Sequence, residues 1–154
     1  MKIDLLLKKV KDKQLVYELF CSHKIKELSA ETWPENMKQQ ICLMQFNAFE
    51  SSLKTQNSQI EDLIITLNSI SIGRLIFSVS ESCILIKYIS LLPEYQKKGI
   101  GKRILNLMIE KAKNLNKEIS LNVSKDNPVY YLYKKLGFII VDNDEINYTM
   151  KYTP

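Results

Sequence analysis

The sequence predicts an α/β domain built on a mixed sheet, and three observations carry that expectation. Short runs rich in apolar and β-branched residues, such as Ile60 to Leu67 and Cys83 to Leu91, read as strands. Longer runs place apolar residues at helical spacing, as in Ile104, Met108, Ala112 and Leu115. The segments follow one another as β-α-α-β-β-β-α-β-α-β-β, the order of a mixed-sheet α/β domain.

Taken in order, Ile3, Leu5 and Leu7 alternate as in a short first strand. Lys11 to about Leu28 carries Leu15, Leu19 and Phe20 at helical spacing. Thr32-Trp33-Pro34-Glu35 has the pattern of a capping box with Pro near the first helical position, so a second helix should begin there. Its expected apolar stripe is Met37, Ile41, Met44, Ala48 and Leu53. Ile60 to Leu67 and Ile72 to Ser80 read as strands joined by a turn at Asn68-Ser69, followed by the strand Cys83 to Leu91 and a helix from Lys102 to about Asn116. Glu118 to Val123 is the next strand. Asn127 then caps a helix that has Pro128 at its first position, and Gly137 stands where a helix needs a left-handed residue to end. Phe138 to Val141 and Ile146 to Tyr152 close the chain as an antiparallel pair around Asp142-Asn143-Asp144-Glu145.

The 154 residues suit one domain, expected over 1–154, with a core that needs neither disulfides nor metals. Its apolar share of 45% and charged share of 25% are those of a soluble globular protein. No apolar run approaches the roughly eighteen residues of a membrane span. The stretch Met1 to Lys9 has too short an apolar core for a signal peptide. Cys21, Cys42 and Cys83 are odd in number, unpatterned and set among apolar neighbours, as expected of reduced thiols in a cytoplasmic protein rather than of a zinc site. The only histidine, His23, argues against histidine dyads and reads as a helix-surface residue.

The richest segment is Leu91-Leu92-Pro93-Glu94-Tyr95-Gln96-Lys97-Lys98-Gly99-Ile100-Gly101-Lys102. An apolar strand runs into it and an amphipathic helix leaves it. Glycines at such a turn let backbone N–H groups converge, and the helix end adds partial positive charge, so an anion cradle is expected. Lys102-Arg103 follows Gly101, with no hydroxyl for magnesium, which argues against a Walker loop. Ile104 stands where a dinucleotide fingerprint needs a small residue. The net charge of +5 matters less than its placement, since Lys97, Lys98, Lys102 and Arg103 cluster around this loop. That cluster also fits a solvated basic face. Nucleic-acid binding is not expected, because no aromatic residues interleave with it on a sheet face.

Gln96-Lys97-Lys98-Gly99-Ile100-Gly101 resembles the Gln/Arg-x-x-Gly-x-Gly/Ala pyrophosphate loop of the GNAT superfamily of N-acetyltransferases. Downstream, Asn127-Pro128-Val129-Tyr130-Tyr131-Leu132-Tyr133-Lys134-Lys135-Leu136-Gly137-Phe138 is similar to that family's Asn-Pro-Ala-x-x-Leu-Tyr-x-x-Leu-Gly-Phe segment, departing from it at Val129. The resemblance covers Ile72 to Phe138. It implies a mixed, mostly antiparallel sheet of about seven strands flanked by about four helices, and acetyl-CoA as co-substrate without a metal. It further implies acetyl transfer to a primary amine by direct attack in a ternary complex.

The resemblance also assigns residues. Pantetheine would lie along Ile89, Ser90 and Leu91 as an added strand. Gln96, Lys97, Lys98, Gly99, Ile100, Gly101 and Lys102 would surround the pyrophosphate through backbone amides. A Cβ at Gly99 or Gly101 would crowd the phosphates or forbid positive φ. Gln96 stands where many relatives carry Arg, which weakens a direct charge contact and leaves the amides. Tyr133 would be the general acid toward the leaving thiolate, since a phenol of pKa about 10 is protonated at neutral pH. A core tyrosine packing its helix onto the sheet is the other role open to it. Asn127 would contact the coenzyme as well as cap its helix.

No motif assigns the base. Glu50, Glu81 and a water relay through Tyr88 are candidates by placement, and each also fits as a surface or core residue. Phe46 and Phe49 either shape the acceptor site or pack on the sheet. The acceptor stays open across small amines, protein amines and aminoacyl-tRNA. A catalytically silent acyl-CoA sensor or scaffold is the rival of another class. Both a monomer and a homodimer fit the sequence.

Overall fold

A computed structural model describes residues 2–56 and 59–154; Met1, which opens the N-terminal stretch considered above, and residues 57–58 lie outside the described residues. The strands are β1 (Ile3–Leu7), β2 (Ile60–Leu67), β3 (Ile70–Val79), β4 (Cys83–Leu91), β5 (Glu118–Ser124), β6 (Ile139–Asn143) and β7 (Asn147–Tyr152). The helices are α1 (Lys13–Glu27), α2 (Glu35–Thr55), α3 (Ile100–Leu115) and α4 (Val129–Lys135). The strands join in the order β1-β2-β3-β4-β5-β7-β6. The β4–β5 pair is parallel, whereas β1–β2, β5–β7 and β6–β7 are antiparallel. The expected element order and sheet type are therefore those observed.

The chain forms two compact units, one made of Met1–Ile76 with Tyr88–Gln96 and the other of Phe77–Lys87 with Lys97–Pro154. In the first, Val16 and Phe20 of α1, Phe46 of α2 and Ile64 of β2 form a core cluster, with Leu15, Tyr17 and Phe49 packed against it. Asn68 and Ser69 turn β2 into β3 with φ of +50° and +70°, the paired left-handed conformation that suits a two-residue hairpin. In the second unit, α3 buries Ile100, Ile104, Leu105, Met108, Ile109 and Ala112, while β5 buries Ile119, Leu121 and Val123. The β4–β5 ladder holds the register Cys83/Glu118, Ile84/Ile119 and Leu85/Ser120. Among the described residues no helix is long and apolar enough to cross a membrane, and no group of potential metal ligands comes together.

Several local expectations need correction. The stripe Met37, Ile41, Met44, Ala48 and Leu53 is not the buried face of α2, because Met37 and Met44 are 47% and 60% exposed. Cys42 and Phe46 are buried instead. Two apolar rows run side by side on this helix, and the row with Phe46 wins because its ring packs edge-on against Tyr17 and Phe20 at 5.2 and 5.6 Å. Thr32 does not cap α2. The cap is Pro34, whose carbonyl accepts from the N–H groups of Met37 and Lys38 and whose ring fixes φ for helix entry. The α1 helix begins at Lys13 after a tight turn at Val10–Asp12. The α3 helix begins at Ile100, ahead of the expected Lys102, since Gly99 takes the capping position. Leu115, expected in its stripe, is 43% exposed.

Candidate functional site

In the second unit, Lys97 and Gly99 adopt φ of +59° and +80°, and Gly99 caps α3. The loop is held from below by Ile100 and Ile104, which are buried. Above them Lys97, Lys98, Gly99 and Lys102 are exposed. No side chain caps this helix end and its first turn holds no acidic residue. The first amides of a helix have no partner within it, so this end offers N–H donors among lysines. Of the two reasons for glycine given above, positive φ applies to Gly99 alone. At Gly101 the backbone is helical, and a Cβ would meet nothing within 4 Å. Nothing in the protein's own packing calls for glycine there, whereas an anion drawn against the amides would.

Tyr133 and Asn127 belong to the same unit. Tyr133 is 6% exposed, and its ring packs 5.7 Å from Phe138, which lies 5.6 Å from Tyr152. Burial pushes the Tyr133 hydroxyl up to about 12, so it keeps its proton far above neutral pH. Asn127 is exposed, and its Oδ1 accepts from the Val129 N–H at 3.0 Å, which satisfies an amide at the start of α4. Glu81 is exposed in the turn before β4.

The first unit holds the C-terminal end of β4. Ile89 and Leu91 are half-buried, and Ser90 is 2% exposed. The Leu91 carbonyl accepts from Gln96 Nε2 at 2.9 Å, and the Gln96 N–H donates to the Pro93 carbonyl at 3.2 Å. Both the side chain and the amide of Gln96 are thus engaged within the protein, fixing the residues after β4 to the strand. Gly73 on β3 explains how closely β3 and β4 run. A Cβ there would collide with the Ser90 carbonyl and stand 2.8 Å from Leu91 Cδ2.

Behind this strand end lies a polar cluster that no sequence pattern announced. Arg74 of β3 is 1% exposed. Its Nε and NH2 donate to Asp62 Oδ1 and Oδ2 at 2.9 and 2.7 Å, and its NH1 and NH2 donate to Glu50 Oε1 and Oε2, both at 3.2 Å. Glu50, a candidate base, is therefore the ion-pair partner of a buried guanidinium. Tyr88, another candidate, packs 5.2 Å from Phe49, and the exposed His23 ring is 6.5 Å away. Burial raises the Tyr88 hydroxyl above its usual value, opposed by Ser90 and by the charge of Arg74. Tyr88 Oη and Ser90 Oγ are both buried without a hydrogen bond of good geometry among the described residues. The signal in the sequence was only a lone arginine inside an apolar strand.

Residues 25–138 match the family model described as the GNAT acetyltransferase family. No curated protein matches the chain. Solved structures share its fold at low identity. One is the PaiA N-acetyltransferase of Thermoplasma acidophilum in complex with coenzyme A, 21% identical over all of both chains with a TM-score of 0.74. Another is the ribosomal-protein-S18-alanine N-acetyltransferase of Escherichia coli, 17% identical over 99% of this chain and 94% of that one, TM-score 0.67. A third is Arabidopsis thaliana Naa50 in complex with the bisubstrate analogue CoA-Ac-MVNAL, 19% identical over all of both chains, TM-score 0.63.

Proposed function

The chain belongs to the GNAT family of acetyltransferases, and on that premise we propose that it moves the acetyl group of acetyl-CoA to a primary amine by direct attack in a ternary complex. Residues 1–154 act as one acetyltransferase domain in this reading, and the free thiols of Cys21, Cys42 and Cys83 favour the cytoplasm. The observation that carries it is the open start of α3, which no side chain caps and where Gly101 is a glycine that the protein's own packing does not require. Coenzyme-bound relatives such as the Thermoplasma PaiA enzyme support the same assignment.

The amides from Lys97 to Lys102 would hold the pyrophosphate, with the lysine ammonium groups adding attraction. Ile89, Ser90 and Leu91 would offer backbone groups to the pantetheine arm, and the short β4–β5 ladder supports strand addition there. Acetyl-CoA supplies the activated thioester. What the chain adds is orientation, and a proton held on Tyr133 Oη. With the phenol at about 12 and an alkyl thiol near 8.5, full transfer to the departing sulfur is uphill by about 3.5 pH units, or roughly 5 kcal/mol. Tyr133 would therefore stabilise the developing thiolate chiefly as a hydrogen-bond donor, and the proton shed by the amine remains available to complete the exchange.

A panel of amines with acetyl-CoA, read by free-thiol release, tests the reading. At least one amine should drive release, and Tyr133→Phe should lower kcat about 10²-fold while leaving acetyl-CoA affinity intact. Silence toward every amine would favour a coenzyme-binding sensor. A Phe variant with parental kcat would make Tyr133 a packing residue only.

A further inference from the structure

Two carboxylates converge on Arg74 where charge balance asks for one. Asp62, on the adjoining strand β2, makes the two shorter bonds, and that pair alone neutralises the guanidinium. Glu50 arrives from α2 with the two longer ones. Glu50 supplies the acceptor for NH1 and a second one for NH2, and its charge favours the buried guanidinium further. Charge balance alone asks only for Asp62; what Glu50 adds besides its hydrogen bonds is a tie from α2 to β3.

The α2 helix spans 21 residues and buries only Cys42 and Phe46, while Met37, Leu43 and Met44 stay exposed. So thin an apolar face restrains its rotation and slide poorly. A bidentate carboxylate–guanidinium contact has a defined geometry and restrains both. The residue before Glu50 is Phe49, whose ring packs 5.4 Å from Phe20 and 5.2 Å from Tyr88 and lies 5.9 Å from Arg74 Cζ. Holding Glu50 therefore sets where Phe49 stands against β4. On that strand the buried hydroxyls of Tyr88 and Ser90 are two residues apart and share one face.

We propose that Glu50 is a positioning residue for the acetyl acceptor: by gripping Arg74 it fixes the C-terminal half of α2, and with it Phe49, against the Tyr88–Ser90 face of β4 on which the amine is received. This rests on the acetyltransferase reading above. It gives Glu50 a task distinct from proton removal, and the two tasks separate in kinetics. A base acts on kcat, whereas a residue that shapes the acceptor surface acts on the KM of the acceptor.

The test uses the amine that gives the fastest thiol release with the parent protein. Glu50→Gln keeps an oxygen for Arg74 NH1 and should hold the KM of the amine within about twofold of the parent. Glu50→Met leaves the neutral Arg74–Asp62 pair and should raise that KM by about tenfold, the loss expected of one charge-assisted contact. Its kcat and its KM for acetyl-CoA should stay within about twofold of the parent. Phe49→Leu, which leaves the ion pairs intact, should reproduce the rise, and the Glu50→Met/Phe49→Leu double variant should add little to either change. Equal losses of kcat in Glu50→Gln and Glu50→Met with unchanged KM would make Glu50 the base and overturn the proposal. Parental kinetics in both Glu50→Met and Phe49→Leu would overturn it as well, leaving the acetyltransferase reading untouched. Should Glu50→Met fail to fold, Glu50→Gln and Phe49→Leu decide the matter alone. A parent silent toward all amines would sink that reading and this proposal together.

Discussion

Replacing Gly101 by alanine should move stability and coenzyme affinity in opposite directions. The residue sits in the first turn of α3 with helical backbone and open space around the missing Cβ. Alanine at such a position stabilises by roughly 0.4–1 kcal/mol, chiefly by restricting the unfolded chain, which for a domain of this size raises Tm by about 1–4 °C. The same Cβ would stand among the amides proposed to hold the pyrophosphate. Losing one charge-assisted bond costs about 1.5–3 kcal/mol, or roughly 10–150-fold in Kd. Gly99→Ala supplies the contrast. Its space is equally open, but φ of +80° is hostile to a side chain. About 1–2 kcal/mol of strain should lower Tm by roughly 2–8 °C. Thermal unfolding of the free proteins and calorimetric titration with acetyl-CoA at one ionic strength measure both quantities. A Gly101→Ala variant that binds acetyl-CoA as the parent does would refute the cradle. A fall in its Tm would refute the claim that the protein itself leaves that position free.

Two more outcomes are expected. Tyr133 is held near 12 in the fold against about 10 when unfolded, so above pH 10 the unfolded chain loses this proton first and stability falls between pH 10 and 12. At pH 11 this amounts to about 1.4 kcal/mol. Tyr133→Phe lacks the titration, so its urea-unfolding free energy should gain that much relative to the parent between pH 7 and pH 11; a constant difference would show that the phenol does not sense the interior. Gly73→Ala should lose about 1–3 kcal/mol by forcing β3 away from the Ser90 carbonyl, a drop of roughly 2–12 °C in Tm, and a variant melting with the parent would mean that the strands can part freely there.

What could be read in the chain beforehand follows the range of the forces involved. The strands Ile60–Leu67 and Cys83–Leu91 were bounded to the residue, because local turn chemistry at Asn68-Ser69 and apolar patterning both act over short range. The family was legible in the glycine loop and the helix around Tyr133, because both segments carry its residues at its spacings. The buried face of α2 was not, since two apolar rows share the helix and only the rings of Tyr17 and Phe20, far off in sequence, choose between them. Arg74, Asp62 and Glu50 were hidden for a similar reason. Their separations of 12 and 24 residues belong to no helical or strand period, and they meet only once α2 lies over the strands. The need for glycine at 73 was equally hidden, since it comes from the Ser90 carbonyl on the neighbouring strand.

Lys97 occupies a left-handed position that a glycine would fill without strain, at a cost of about 1–2 kcal/mol in the fold. Gly101, four residues on, is the reverse: a glycine where alanine would serve the fold better. An engineer ranking substitutions by melting temperature would exchange both, placing glycine at 97 and alanine at 101. The product would be a hardier molecule with a lysine removed from its loop and a methyl group set among its amides. Thermostability screens of this protein should therefore exempt residues 97–101, because there the substitutions that look like improvements are the ones that would damage the proposed coenzyme loop.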